Sequence, residues 1–167
     1  TGVLNAGKIK FTPDLPKKKY EAFDGISMSA YRRVTLQIKE SFYKDYEIDS
    51  DTYFYAKVKN EKPYTKSSNG TLRVCYSNIS FFSIKGQFAK DLAKEDDHAS
   101  IDFILNYLRS AYGSNIDKYF IKAHVTDWGS NPYTIGAYSG AIPGKAKLRK
   151  VLKQSVKNKI FFAGEAT

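Results

Sequence analysis

Tyr31-Arg32-Arg33-Val34-Thr35-Leu36-Gln37-Ile38-Lys39 alternates apolar and polar side chains with a period of two. Val34, Leu36 and Ile38 fall on one side and Arg33, Thr35, Gln37 and Lys39 on the other, the pattern of a strand with one buried face. Thr52–Lys59, Thr71–Tyr76 and Asn78–Ile84 also read as strands, the last closed by Gly86. The polar stretch Asn60–Gly70, with Pro63 and Asn69-Gly70, reads as a turn or long hairpin loop. Tyr119–Val125 and a short Ile160–Ala163 complete the strand set. Strands outnumber helices and come in consecutive runs. That predicts an α+β fold, with a largely antiparallel or mixed sheet flanked by helices.

Two helical segments stand out. Residues 17–26, entered after Pro16, predict a short helix. A longer one is expected near 98–112, where Ile101, Ile104, Leu105 and Leu108 repeat at i, i+3, i+4, i+7. Ser100 or Asp97 is positioned to cap its start, and Gly113 sits where the helix should stop.

A chain of 167 residues suits one domain with a part of a second. Its 42% hydrophobic content, with 13 Tyr, 11 Phe and 1 Trp, supplies a core and argues against global disorder. No apolar run approaches the roughly 20 residues of a membrane helix, and Thr1-Gly2-Val3-Leu4 lacks signal-peptide organisation. The single cysteine, Cys75, lies in the alternating run Leu72–Tyr76 and reads as a small buried apolar residue. A lone cysteine fits a reducing compartment and a cytoplasmic location.

The net charge of +10 raises nucleic-acid binding as an alternative function. Its densest segment, Lys145 to Lys159, has seven basic residues and no acid. Leu148, Val151, Leu152, Ser155 and Val156 recur there at helical spacing, so the charges also read as the solvated face of a helix. No zinc-ligand set, RNA-recognition signature or helix-turn-helix pattern accompanies them, so charge alone speaks for a nucleic-acid partner and the solvated-face reading is preferred. His98 and His124 are too isolated for a metal site or a triad, and Glu95-Asp96-Asp97 reads as helix N-terminal charge.

Two motifs near the end carry a resemblance. Trp128-Gly129-Ser130-Asn131-Pro132-Tyr133-Thr134-Ile135-Gly136-Ala137-Tyr138-Ser139-Gly140 has the form W-x-x-x-P-Y-x-x-G-x-Y-S, and Phe162-Ala163-Gly164-Glu165-Ala166-Thr167 the form F-A-G-E-x-T. Together they resemble the C-terminal half of the flavin-containing amine oxidases, the family of monoamine, polyamine and lysine-demethylating oxidases. Weaker patterns follow in the family's order: Gly2-Val3-Leu4 with Ile9–Pro16, then Gly86-Gln87-Phe88-Ala89-Lys90-Asp91-Leu92, then the helix ending at Gly113.

The resemblance implies a substrate-binding domain over residues 8–126 and an incomplete C-terminal part of an FAD-binding domain over 127–167. It implies a parent enzyme that oxidises a primary, secondary or polyamine to an imine. FAD is the hydride acceptor and oxygen its reoxidant, giving hydrogen peroxide. Arg33 falls at the strand position where the family commonly places a lysine holding a water against the flavin, a catalytic role. Arg32 leaves that register open by one, and an ordinary polar-face arginine is the alternative. Arginine is larger, always charged and prefers bidentate acceptors, so the exchange bears on oxygen reactivity. Ala137 falls where monoamine oxidases carry the flavin-bonded cysteine, so FAD would be held non-covalently. Trp128 and Tyr138 fall where relatives place aromatics near the flavin, with core packing as the alternative. Gly164 and Glu165 match a loop along the ribityl and pyrophosphate part of FAD.

No G-x-G-x-x-G follows a strand in this sequence, and the helix that would follow F-A-G-E-x-T lies beyond Thr167. The chain is therefore expected to be a fragment that is inactive alone and binds no FAD. Its partners would be the FAD-binding domain of the same polypeptide and, in the parent, a small-molecule amine. Self-association through an exposed domain interface is also expected. The alternative from another class is a non-catalytic interaction module derived from the same domain.

Overall fold

The computed structural model describes residues 1–57 and 66–167. In chain order its elements are α1 (Gly2–Asn5), α2 (Lys17–Gly25), β1 (Ile26–Ser29), β2 (Tyr31–Ile38), α3 (Glu40–Asp45), β3 (Thr52–Lys57), β4 (Ser67–Leu72) and β5 (Ile79–Lys85). They continue with α4 (Gly86–Leu92), α5 (Asp97–Tyr112), β6 (Phe120–Val125), β7 (Tyr138–Ala141) and α6 (Leu148–Lys153). The chain divides into two units, one of residues 31–127 and one of residues 1–30 with 128–167. Residues 8–30 thus group with the tail rather than with the sheet, which differs from the boundary expected at residue 8.

Residues 31–127 build a five-stranded sheet in the order β3-β4-β5-β2-β6, with every pairing antiparallel. The α+β expectation holds. In β2, Arg32, Val34, Leu36 and Ile38 are buried while Tyr31, Arg33, Thr35 and Gln37 are half-buried, so the alternation seen in the sequence is the alternation in space. Arg32 lies on the buried face of β2 and Arg33 on the other. Ile104, Leu105 and Leu108 of α5 are buried, and α5 packs against β2 and β6. Asp97 at its start pairs with the buried Arg32 guanidinium. The N-cap is Asp96, whose carboxylate accepts from the Ala99 N–H at 3.2 Å, rather than Ser100 or Asp97.

Three strand boundaries differ from expectation. β4 begins at Ser67, so Asn69-Gly70 lies inside a strand instead of a turn. Gly70 permits this because its neighbour β5 lies close: an added Cβ would stand 2.1 Å from the Phe81 carbonyl oxygen and 2.7 Å from Phe82 Cδ1. β4 then stops at Leu72 because Arg73 turns left-handed at φ 51°, its N–H held by Ser80 Oγ at 3.1 Å. Residues 74–76 form a 3-10 turn and Cys75 is exposed, which corrects the buried assignment. The expected strand over 160–163 reduces to one bridge, Val156–Ile160. The expected loop at 60–65 and the last two residues of the strand to Lys59 lie outside the described residues.

In residues 1–30 with 128–167, β1 and β7 pair antiparallel, Ile26 with Ala141 through Ser29 with Tyr138. Leu15, Ala22, Phe23, Ile26, Leu152 and Val156 form the core of this unit, with Phe11, Leu148 and Phe162 packed against it. Lys19 is buried with them at 3% exposure, because Lys19, Ala22, Phe23 and Ile26 share one face of α2 and its continuation. Among the described residues no helix is long and apolar enough to cross a membrane, and no group of His, Cys, Asp or Glu could hold a metal.

Candidate functional site

Arg33 stands alone among the sequence-derived site residues in the sheet unit; Trp128, Ala137, Tyr138, Gly164 and Glu165 all lie in the other. On the sheet, antiparallel register places Arg33 opposite Ser83 and Tyr31 opposite Lys85. The Arg33 guanidinium lies over the Phe81 ring, 4.4 Å from its centroid, and donates to the Tyr31 hydroxyl at 2.9 Å. Tyr31 and Ser83 share a further short hydrogen bond. The Arg33 Nε is buried and has no hydrogen-bond partner among the described residues. Burial pushes the Tyr31 phenol up. The hydrogen bonds with Ser83 and Arg33 and the charges of Arg33 and Lys85 outweigh that and hold it below the usual tyrosine value.

In the tail unit, β7 and the residue 162–167 segment meet through Glu165. Its carboxylate accepts the Ser139 N–H at 3.1 and 3.0 Å and the Ser139 hydroxyl at 3.1 Å. Arg149 ties the same two segments, donating to the Ala166 carbonyl at 2.9 Å and the Ser139 carbonyl at 3.2 Å. These bonds hold the tail against β7 where no strand ladder does. Beside them is a pocket of about 280 Å³, lined by Ala137, Gly164 and Glu165 together with Met28, Gly136 and Phe162, among others. Gly164 has φ 134° and open space where a Cβ would point. Backbone is therefore exposed there to whatever occupies the pocket.

Trp128 and Tyr138 do not line this pocket. They are 46% and 41% exposed, so neither is a core-packing residue of this chain. The Trp128 carbonyl accepts from the Gly136 N–H at 3.1 Å and the Thr134 hydroxyl at 2.8 Å, closing the loop between them.

Two residues that hold the tail unit together were not singled out in the sequence. The Lys19 ammonium donates to the carbonyls of Val151 and Leu152 at 2.7 Å each and to that of Gln154, the last acceptors of α6. It also sits 4.5 Å from the Phe162 ring centroid, so it joins α2, α6 and the tail motif. A signal was present: Lys19 occupies the i position of the i, i+3, i+4, i+7 set completed by Ala22, Phe23 and Ile26. Arg149 had no such signal, being one cation in a basic run.

Comparison with known proteins agrees with the tail motifs and extends beyond them. The sequence model of the family described as flavin containing amine oxidoreductase matches residues 1–167. Polyamine oxidase 2 of Arabidopsis thaliana is 31% identical over 168 residues, covering 99% of this chain and 32% of the relative. Lysine-specific histone demethylase 1 homolog 3 of the same plant is 28% identical, covering 99% of this chain and 10% of its own length. Among solved structures, cyclohexylamine oxidase from Brevibacterium oxydans IH-35A superposes with a TM-score of 0.68 at 20% identity, covering 100% of this chain and 36% of that one, a likeness of fold. This chain thus spans between 10% and 36% of these proteins, and it belongs to the flavin-containing amine oxidoreductase family.

Proposed function

We propose that this chain is part of an FAD-dependent amine oxidase. Residues 31–127 would supply a substrate-binding sheet, and residues 1–30 with 128–167 part of the FAD-binding body. The observation that carries this reading is the family match along all 167 residues of a chain that spans 32% of a polyamine oxidase. The residues present fit a portion of FAD. Gly164 and Ala137 put small side chains and accessible backbone at the pocket, as close approach of a ribityl or phosphate group requires.

The fit is partial. The pocket's volume of about 280 Å³ lies at the bottom of the roughly 300–1,000 Å³ typical of small-molecule sites, and the sequence carries no G-x-G-x-x-G fingerprint. When bound, FAD supplies the hydride acceptor for the carbon beside the amine nitrogen. The chain's own residues would position it. Ala137 offers no nucleophile, so binding is non-covalent. Trp128 and Tyr138 present exposed rings for planar contact, and Glu165 fixes the Gly164 loop through Ser139. Arg33 would act on the substrate side as a fixed cation, oriented by Tyr31 and Phe81.

On this reading the isolated chain binds no FAD and oxidises no amine. Its native partners are the remainder of the FAD-binding domain and a small-molecule amine, and it self-associates through its exposed interface. The exposed thiol of Cys75 fits a cytoplasmic setting. An FAD titration followed by flavin fluorescence tests the first point. Unchanged fluorescence is the expected result, and tight quenching, or peroxide release from amines by this chain with FAD, would overturn it. Peroxide release by the longer protein carrying this chain tests the parent activity.

A further inference from the structure

The five strands of the sheet contain no aspartate or glutamate at all. The basic residues of β2, β5 and β6 divide by face. Arg32 is buried, and its charge is answered by Asp97 and, at 4.0 Å, by Asp127. Arg33 and Lys85 lie on the opposite face, and among the described residues neither is in a salt bridge. The same face carries His124 opposite Thr35 and Lys122 opposite Gln37, and its partly exposed aromatics include Phe81, which lies beneath the guanidinium.

Such a face repels polycations and attracts anions. Two further features make it selective for a planar anion. Arginine has five N–H donors in a rigid fork suited to a carboxylate, and among the described residues the Arg33 guanidinium hydrogen-bonds only to Tyr31. That bond and the ring beneath it fix the plane of the fork before any ligand arrives, which lowers the ordering cost of binding. The buried Nε is shielded, so the terminal nitrogens would make the contact. Lys85, whose ammonium is 5.9 Å from the Tyr31 ring centroid, adds a second positive charge on the other side of that ring's residue pair.

We propose that Arg33, supported by Tyr31 and Lys85, binds the carboxylate of a small-molecule amine, so that the substrate of the parent oxidase is an amino acid and not a polyamine. This rests on the amine oxidase reading for the word substrate; the anion site itself does not. Charge complementarity selects the occupant. The ammonium groups of a polyamine would meet the cations of Arg33, Lys85 and Lys122 and no acid among the strand residues of this face, whereas a carboxylate meets a preoriented fork.

The test is a titration of the 167-residue chain with sodium 3-phenylpropionate, read by backbone amide NMR shifts at low ionic strength. The amine 3-phenylpropylamine and spermidine serve as cationic counterparts. We expect saturable shifts concentrated at Tyr31, Arg33, Ser83 and Lys85 for the carboxylate and none there for the two cations. Arg33→Met should weaken carboxylate binding about tenfold or more, Lys85→Met by a smaller factor, and Arg33→Lys should recover only part of the loss because a point charge lacks the fork. Absence of saturable shifts, equal binding of the amine, or unchanged affinity in folded Arg33→Met would overturn the proposal. The ligand comparison in the wild-type chain decides the matter even if a variant fails to fold. Failure here, with peroxide release from a polyamine by the longer protein, would remove the inference and leave the oxidase reading intact. Carboxylate binding without any amine oxidation would do the reverse.

Discussion

Replacing Lys19 by methionine tests whether one buried cation holds the tail unit together. The substitution keeps an unbranched apolar stem of similar length and removes the donors to the Val151, Leu152 and Gln154 carbonyls. The Leu152 bond is buried and the other two are part-buried. A buried acceptor left without a donor costs about 1–3 kcal/mol, and one that water can reach costs less. Loss of the contact with the Phe162 ring adds about 0.5–1 kcal/mol. Burial lowers the Lys19 pKa from its ordinary 10.5, a desolvation cost from which methionine is exempt, so the net lies in the lower part of that sum. We take about 2–4 kcal/mol, a large share of the roughly 5–15 kcal/mol of a whole domain.

Trp128, the single tryptophan, lies in the same unit and reports its unfolding. With a urea slope of about 2 kcal/mol/M, the fluorescence midpoint should fall by about 1–2 M. Lys18→Met, at an exposed neighbour, should stay within about 0.5 kcal/mol of wild type. A Lys19→Met midpoint equal to or above the wild-type value would refute the assignment of Lys19 as the cap of α6.

Three further outcomes follow from particular contacts. Gly70→Ala should destabilise the sheet unit by about 2 kcal/mol or more, since the new methyl meets the β5 backbone at 2.1 Å; an unchanged thermal midpoint would contradict the close approach of β5. Asp97→Asn should cost about 1–2 kcal/mol, between exposed and buried pair values, because Arg32 is 3% exposed, Asp97 is 61% exposed and Asp127 remains nearby. Denaturant midpoints compared at low and high salt would check it.

In alkaline titration followed at tyrosinate absorbance, Tyr31 should ionise before an ordinary tyrosine, and Tyr31→Phe should delete that early step. Tyr43 and Tyr112, raised by burial, and Tyr119, raised first by its bond to Asp45, should ionise late. For these three the folded state keeps a proton that the unfolded chain releases near pH 10. Their stabilising share is therefore complete below about pH 10 and lost as pH climbs through the higher folded values. For Tyr31 the sign is opposite, its share being present above about pH 10 and lost as pH falls through its lower folded value.

The sequence by itself determined the elements whose burial is periodic. β2 alternates because each residue turns the next side chain to the other face, and α5 carries its stripe because 3.6 residues complete a turn. The family was legible in the W-x-x-x-P-Y and F-A-G-E-x-T motifs, whose residues include the short β7 and the pocket lining. Tertiary structure alone decided the rest. Asn69-Gly70 is a turn signal locally, yet it is strand here because β5 approaches where only a hydrogen fits. Cys75 follows a left-handed Arg73 that ends the strand, so it points to solvent instead of a core. β1 and β7, four residues each, are too short for any period and exist through pairing across more than a hundred residues. Along the chain Glu165 reads as part of a cofactor loop, Arg149 as one cation in a basic run, and Lys19 as a charge at an apolar-face position of α2. Distant carbonyls and N–H groups, brought within hydrogen-bond reach by the fold, turn them into the ties of the tail unit.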